Sequence, residues 1–456
     1  MADYLVAIDL GTTKIVSIVG EKTKNSKRLK ILAYSEGRSS GIRHGQVENI
    51  HSVVGVVKNT LDSIKTTAGI SDINEVYVGI AGLNIRYIVN RTEILRPIYE
   101  ELITENDIKM LEDNARRLHI NMGEKIVHVI PQTYSIDDIH EITDPVGRLG
   151  YKLAGNFMVI IEKGVSTRHT EVCIERLNLS LKELILEPMA SARAVLSDDE
   201  REMGVVMVDM GGGTTDLIIF HKNVIRHTAI IPFGGNTVTQ DIKTGCKITW
   251  KEAENIKIQR GSCMPAMVPD TEILIPGENG KEPYKISFKL LACIIEARIK
   301  EILDMIFYEI RKYTDNNHEL ATGIVFTGGA AQIANLREFV KLKTGMDVRI
   351  GKPMYVSESS PKDIVHPKYS TAVGLVMYGF DIREKYAKLV EIKNTDTVIV
   401  NPVVPVNPVD PVNPVNPVNP VDPVDPVDPG NSDIKMTLKS VMDMFKNVLY
   451  EKKEKV

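Results

Sequence analysis

Aromatic side chains are scarce in this 456-residue chain, 5% of the total with a single Trp, and only four cysteines are present. Cys173, Cys246, Cys263 and Cys293 lie far apart with no C-x-x-C pair, which speaks against structural zinc or disulfides and fits a reducing compartment. An excess of one charge is also missing. Lys and Arg number 56 against 60 Asp and Glu, a formal net charge of −4, so no global basic field exists to hold a nucleic-acid backbone. No run approaches about 18 uninterrupted apolar residues, and the first residues carry Asp3 and Asp9 instead of a cationic stretch followed by an apolar one. The expectation is a cytosolic protein without a spanning helix or nucleic-acid partner. What the chain does have is 43% apolar residues, enough at this length for two or more cores.

The sharpest change of composition comes near residue 401. Pro recurs at every third position from Pro402 to Pro429, alternating with Val and with Asn or Asp. Pro lacks the N–H that helix and sheet ladders need, and a three-residue period matches polyproline II. This segment reads as a spacer, roughly 90 Å if fully extended at about 3.1 Å per residue. Behind it, residues 432–454 are amphipathic: Ile434, Leu438, Val441, Met442, Phe445, Val448 and Leu449 share one helical arc, flanked by Lys435, Lys439, Lys446 and Lys453. A helix that docked on its own domain would not need so long a reach. Lysine stems beside an apolar face suit an anionic membrane surface, on which such a helix lies without spanning it.

Before the spacer, strands and helices alternate. Residues 4–10 and 15–19 flank a Gly-Thr-Thr-Lys turn and read as a hairpin, and residues 205–210 and 217–220 flank Gly-Gly-Gly-Thr-Thr-Asp in the same way. The same order of apolar strand, Asp, Gly, paired Thr and apolar strand, repeated about 200 residues apart, points to duplication of a whole domain. Helical periodicity appears at 105–118 and 289–313. The class is α/β.

Each hairpin turn is a candidate phosphate loop. Asp9, Gly11, Thr12, Thr13 and Lys14 form the first; Asp209, Gly211, Gly212, Gly213, Thr214, Thr215 and Asp216 form the second. Glycines let backbone N–H groups approach phosphate oxygens, Thr hydroxyls add donors, and a strand-end carboxylate can hold Mg²⁺ through water. Two such loops could grip one nucleotide from both sides, with the metal between Asp9 and Asp209. The pattern G-x-x-x-x-G-K-[ST] is absent and a strand follows each loop, so neither a P-loop nor a dinucleotide fingerprint fits. Gly328, Gly329 and Ala330 follow a third strand and could pack flat on a purine, or be an ordinary βα turn. Glu254 and Lys257, three apart on an expected helix, could meet ribose or base, or be a simple ion pair.

Taken in order, these segments resemble the ATPase superfamily of actin, Hsp70 chaperones and sugar kinases. Within it, the chain is similar to the bacterial cell-division family FtsA over nearly all of residues 4–380. The resemblance rests on Asp9 to Lys14, on Val127 to Tyr134 with Asp144-Pro145-Val146-Gly147 following, on Leu186 to Ala192, on Val208 to Asp216, and on Thr327-Gly328-Gly329. It implies an actin-like duplicated two-lobe ATPase fold with an extra α+β subdomain in the first lobe. The first-lobe core would take 1–83, 167–202 and 355–390, with the extra subdomain at 84–166. The second-lobe core would take 203–240 and 321–354, and its small subdomain 241–320. The Pro-rich linker at 391–431 and the terminal helix at 432–456 complete the chain.

The resemblance also implies ATP with Mg²⁺ between the lobes, actin-like filaments, other division partners, and attachment of the tubulin-like FtsZ ring to the inner face of the cytoplasmic membrane. Glu187 matches the inter-lobe glutamate that positions water in relatives such as the rod-shape protein MreB, and any ATPase activity would be slow. The FtsZ tail would dock on 241–320, where Arg298 falls in a family helix. Two departures stand out: Ala330 where a third Gly is common, and a terminal helix with Phe445 but no Trp. A sugar or acid kinase, an Hsp70-like chaperone and a PilM-like pilus adaptor are the competing readings. A tethered helix disfavours the kinase and the pilus adaptor, and an Hsp70-like chaperone is expected to carry a β-rich substrate domain, which the residues after 390 do not resemble.

Overall fold

A computed structural model of the chain describes residues 4–22, 28–275, 283–314 and 320–396. The Pro-rich repeat and the terminal helix residues from Ile434 to Lys453 lie outside them. Tyr4–Leu10 (β1) and Lys14–Lys22 (β2) form the first expected hairpin, with Ala7 opposite Ile18. Leu29–Arg38 (β3) extends it, the short pair Ile42–Arg43 (β4) and Gln46–Val47 (β5) follows, and Ile50–Ala68 (α1) packs Val53, Val57, Leu61 and Ile64 against the sheet. Asn49 caps α1 by accepting from Ser52 N–H, and Gly69 ends it with a left-handed φ of 66°. Glu75–Ile80 (β6) then pairs parallel with β1.

The extra subdomain follows. Ile85–Leu95 (β7), Glu105–Arg116 (α2), Glu124–Ile136 (β8), Ile139–Ile142 (β9) and Lys152–Lys163 (β10) build a sheet of order β7-β10-β8-β9 with α2 against it. Helix α2 starts where Thr104 and Asp107 bond reciprocally as a capping box, and buries Ile108, Leu111 and Ala115, the spacing that its sequence shows. Phe157, Val159 and Ile161 complete this separate core.

The chain returns to the first lobe through Gly164–Glu175 (α3) and Ser180–Leu186 (β11), giving the order β11-β6-β1-β2-β3. Glu187–Val195 (α4) and Asp198–Met203 (α5) cross to the second lobe. There Val205–Met210 (β12), Thr215–His221 (β13) and Val224–Ile231 (β14) precede the helices Gly235–Cys246 (α6) and Trp250–Arg260 (α7). Glu272–Ile275 (β15), Tyr284–Ser287 (β16) and Phe288–Tyr313 (α8) complete the small subdomain, and the apolar stripe of α8 runs through Leu291, Ile295, Ile302, Ile306 and Ile310. Ile324–Thr327 (β17), Leu336–Thr344 (α9) and Val348–Ile350 (β18) close the lobe, and Ser370–Asp396 (α10) goes back to the first.

The second-lobe sheet has the order β14-β13-β12-β17-β18. In both lobes a β-hairpin extended by a third antiparallel strand is joined on its first strand by two parallel strands. The duplication inferred from two short turns therefore covers the whole sheet. Both faces of each sheet are covered, so β1, β2, β12 and β13 read as continuous apolar runs without polar alternation. One core runs from Leu5 and Ile18 through Met189 and Val195 of α4 and Val373 and Val376 of α10 to Met207 and Ile218. Burying each such side chain contributes about 1.5–3 kcal/mol. A Cβ on Gly374 would stand 1.8 Å from the Ala190 carbonyl, so α4 and α10 cross at backbone contact. Helix α10 also continues through Glu391 to Asp396, residues expected to belong to the linker. No Pro falls between Pro367 and Pro402, so no proline breaks the helix at the expected boundary.

Candidate functional site

The turns of the two hairpins meet at the mouth of the inter-lobe cleft. A Cβ on Gly213 would lie 2.6 Å from Thr12 Oγ1, and one on Gly212 would lie 1.7 Å from Thr13 Oγ1. Only glycine permits this approach, which accounts for the glycine run in the second loop. The second loop is braced from behind. Gly235 and Asn236 at the start of α6 donate backbone N–H groups to Gly211 O (2.9 Å) and Gly212 O (2.8 Å). His44 Nδ1 lies 3.0 Å from Gly213 O, and Gly45 N–H donates to Thr12 Oγ1 at 3.0 Å.

Four buried carboxyl groups surround these turns. Asp9 ends β1, Asp209 ends β12, Asp216 lies in β13 and Glu187 opens α4. Burial lifts Asp9 to about 6, opposed by Lys14 and reinforced by the charges of Asp209 and Glu36. Burial also raises Asp209 against the hydrogen bonds that it receives: Ser191 Oγ donates to its Oδ2 at 2.6 Å and Thr371 Oγ1 at 3.1 Å. Asp216 and Glu187 are pushed well above the ordinary carboxylate range by burial first and by their acidic neighbours second. Asp216 Oδ1 and Glu187 Oε1 are buried without a hydrogen-bond partner. Glu187 stands beside Gly79, whose Cβ would meet its Oε1 at 3.3 Å, and Pro188 follows in the first turn of α4.

Lys14 is the cation nearest this acidic group. Its Nζ lies 4.0 Å from Asp9 Oδ2, donates to Lys368 O at 2.6 Å and sits 5.1 Å from the Tyr369 ring centroid. Four mutually repelling carboxyls against one ammonium make a place that a divalent cation would neutralise. Among the described residues, no three acidic, histidine or cysteine side chains converge to chelate a metal directly. A cation held by Asp9 and Asp209 through water fits that donor set.

The third glycine cluster comes to the same cleft. Gly328 has φ of 89°, and a Cβ there would meet Asp209 Oδ1 at 2.3 Å, so it is fixed by both backbone and space. Gly329 has open space where a side chain would be. The methyl of Ala330 is accommodated by Gly235, whose own Cβ would lie 3.2 Å from it, which answers the missing third Gly. Lys257 Nζ, its pKa lowered by burial, bonds Gly235 O (3.0 Å), Thr239 Oγ1 (2.8 Å) and Glu254 Oε2 (2.7 Å). The Glu254–Lys257 ion pair therefore exists and borders the same glycines.

Two expected residues are committed elsewhere. Thr215 is fully buried, and its hydroxyl donates to Phe233 O at 2.8 Å, so it props the loop instead of facing the cleft. Arg298 is held by Asp241, with 2.5 Å from Nε to Oδ2, and by Glu301, and its guanidinium lies 5.7 Å from the Phe233 ring centroid. Sequence reasoning missed Ser191, Thr371, His44 and the Gly234-Gly235-Asn236 turn. The paired glycines ahead of a helical pattern were a usable signal; a single Thr371 was not.

A family model of the cell division protein FtsA matches residues 206–374, and a model of the SHS2 domain inserted in FtsA matches 82–161. Cell division protein FtsA of Neisseria meningitidis is 33% identical over 380 residues, 82% of this chain and 89% of that protein. The chain belongs to the FtsA family. FtsA of Borreliella burgdorferi is 32% identical over 394 residues, 86% of this chain and 94% of that protein. The SHS2 match falls on the β7-β10-β8-β9 sheet, the subdomain marked by the segment Val127 to Tyr134. FtsA membership displaces the kinase, chaperone and pilus alternatives.

Solved structures show the same actin-like fold. One is a PilM–PilN type IV pilus biogenesis complex, with TM-score 0.55 and 13% identity over 82% of this chain and 98% of that one. Another is MreB5 of Spiroplasma citri bound to ADP, with TM-score 0.50 and 15% identity over 84% and 98%.

Proposed function

We propose that this FtsA-family chain binds ATP with Mg²⁺ between its lobes, assembles into actin-like filaments, and ties the FtsZ ring to the inner face of the cytoplasmic membrane through residues 432–456. The observation that carries the nucleotide part is the meeting of Gly212 and Gly213 with Thr13 and Thr12 beside Asp9 and Asp209. Gly11, Thr12, Thr13 and Lys14 would cradle phosphate oxygens from one lobe, and the Gly211 to Thr214 backbone from the other. Asp9 and Asp209 would hold Mg²⁺ through water, and that ion would offset phosphate charge. Gly328, Gly329 and Ala330 would lie under the purine, with Glu254 and Lys257 at its edge. That MreB5 of Spiroplasma citri, which shares the fold, is bound to ADP supports nucleotide binding as such.

Glu187 is placed to orient water toward the terminal phosphate, as an inter-lobe carboxylate would. Burial first, and the charges of Asp9, Asp216 and Asp209 second, raise its pKa. The FtsZ C-terminal tail is assigned to the 241–320 subdomain. Arg298 shapes that surface as an anchored cation paired to Asp241. The deciding experiment is co-pelleting of the full chain with FtsZ and anionic liposomes, with and without ATP. Recruitment of FtsZ to lipid by this chain supports the proposal; FtsZ left in the supernatant under all conditions refutes the adaptor role.

A further inference from the structure

A polar cavity of about 390 Å³ lies away from the two glycine loops. One wall is the extra subdomain, through Arg91 of β7, Ser135 of β8, Glu141 of β9 and Asn156 of β10; the other is the β13–β14 hairpin, through Lys222 and Arg226. The size falls within the range of roughly 300–1,000 Å³ typical of small-ligand sites. Three cations from two subdomains face one carboxylate there. Arg226 Nε is buried without a hydrogen-bond partner, and among the described residues no ion pair engages its guanidinium. A buried donor of a charged group left unpaired costs about 1–3 kcal/mol or more, so this arginine has a strong reason to take an anion.

The backbone beneath the cations is set by strand pairing and a tight turn. Lys222 and Asn223 form the two-residue turn between β13 and β14 with φ of 54° and 61°, which places the Lys222 backbone at the rim. Arg91 is oriented by donating to Ser135 Oγ at 3.3 Å. Beside the cavity the two walls are latched together, since Tyr87 O–H and His227 Nδ1 are 2.9 Å apart and His227 Nε2 lies 3.0 Å from Glu309 Oε2.

We infer that this cavity is a binding site for a small soluble phosphate ester, distinct from the nucleotide loops. A phosphoryl group carries close to two negative charges and three acceptor oxygens, which suits converging Arg and Lys donors better than a single carboxylate does. Arg226 lies near the His221 end of the hairpin, whereas the glycine loop precedes Thr215 at the other end, so the two sites are separable. An anion held by both walls would bind the extra subdomain to the second lobe.

Calorimetric titration of the full chain with pyrophosphate, its nucleotide loops first saturated with ATP and Mg²⁺, tests the site. Binding is expected in the parent and in Lys14→Ala, which removes the cation of the first loop and touches no residue of this cavity. Arg226→Gln is expected to weaken it about tenfold, the worth of one charge-assisted hydrogen bond, while ATP affinity stays unchanged. Arg91→Gln gives the same reading should Arg226→Gln fail to fold, and Glu141→Gln should strengthen binding. Equal pyrophosphate affinity in the parent and both arginine variants overturns the inference. So does loss of binding in Lys14→Ala alone, or citrate binding more tightly than pyrophosphate.

Discussion

His128 Nε2 of the extra subdomain accepts the backbone N–H of Leu186 at 3.2 Å, one residue before Glu187. This bond requires a neutral ring. Burial, aided by Arg116, depresses the imidazole from 6.5 to about 4. The unfolded chain takes up this proton first, so the contribution of His128 is complete above pH 6.5 and lost as pH falls toward 4. Its size is on the order of 3 kcal/mol. His128→Ala, which orphans the Leu186 N–H, should cost about 1–3 kcal/mol at neutral pH and flatten the acid limb of stability. Urea melts of parent and variant between pH 7.5 and 5 read this out; parallel curves would exclude the role.

Gly213 and Gly329 make opposite predictions. A methyl on Gly213 would meet three atoms of Thr12 at 2.6, 2.8 and 2.9 Å, so no rotation of Thr12 relieves Gly213→Ala. The loops must separate, at about 1–3 kcal/mol of stability and at least tenfold in ATP affinity. Gly329→Ala meets nothing within 4 Å and should leave the melting temperature unchanged. It should still weaken ATP, because the methyl occupies the surface assigned to the purine. Thermal melts and titration with a fluorescent ATP analogue separate the two effects.

Asp209 is held by Ser191 and Thr371 from two different helices. Asp209→Asn should make ATP affinity insensitive to EDTA, since the carboxylate that anchors Mg²⁺ through water is gone. Ser191→Ala should retain the EDTA effect with ATP affinity reduced several-fold, consistent with losing one hydrogen bond to a charged group. Retention of the full EDTA response in Asp209→Asn would move the metal elsewhere.

Removal of residues 432–456 should abolish sedimentation with anionic vesicles and leave ATP titration unchanged. Binding by the parent should weaken as salt rises, because part of it comes from Lys435, Lys439 and Lys446. Undiminished vesicle binding by the truncated chain would place the anchor within residues 1–431.

The sequence made most of the architecture legible because the decisive signals were local. Both hairpins, α2 and α8 follow from apolar periodicity and turn residues within a window of a few turns. The facing of the two loops was also readable, as a repeat. What escaped were contacts between groups distant in the chain: Thr371 with Asp209, His128 with Leu186, and Lys14 with Lys368. Each depends on how lobes and subdomain settle together, which periodicity does not encode. The commitment of Thr215 to Phe233 escaped for a related reason, since the motif gives the residue type and the strand pairing decides which way its hydroxyl turns.

Helix α10 begins at Ser370, beside the Thr371 that holds Asp209, and is described through Asp396. Its 27 residues form a rod of about 40 Å. The end of that rod that carries Thr371 crosses α4 at backbone contact through Gly374, so the helix cannot slide along its axis without moving a residue that holds Asp209.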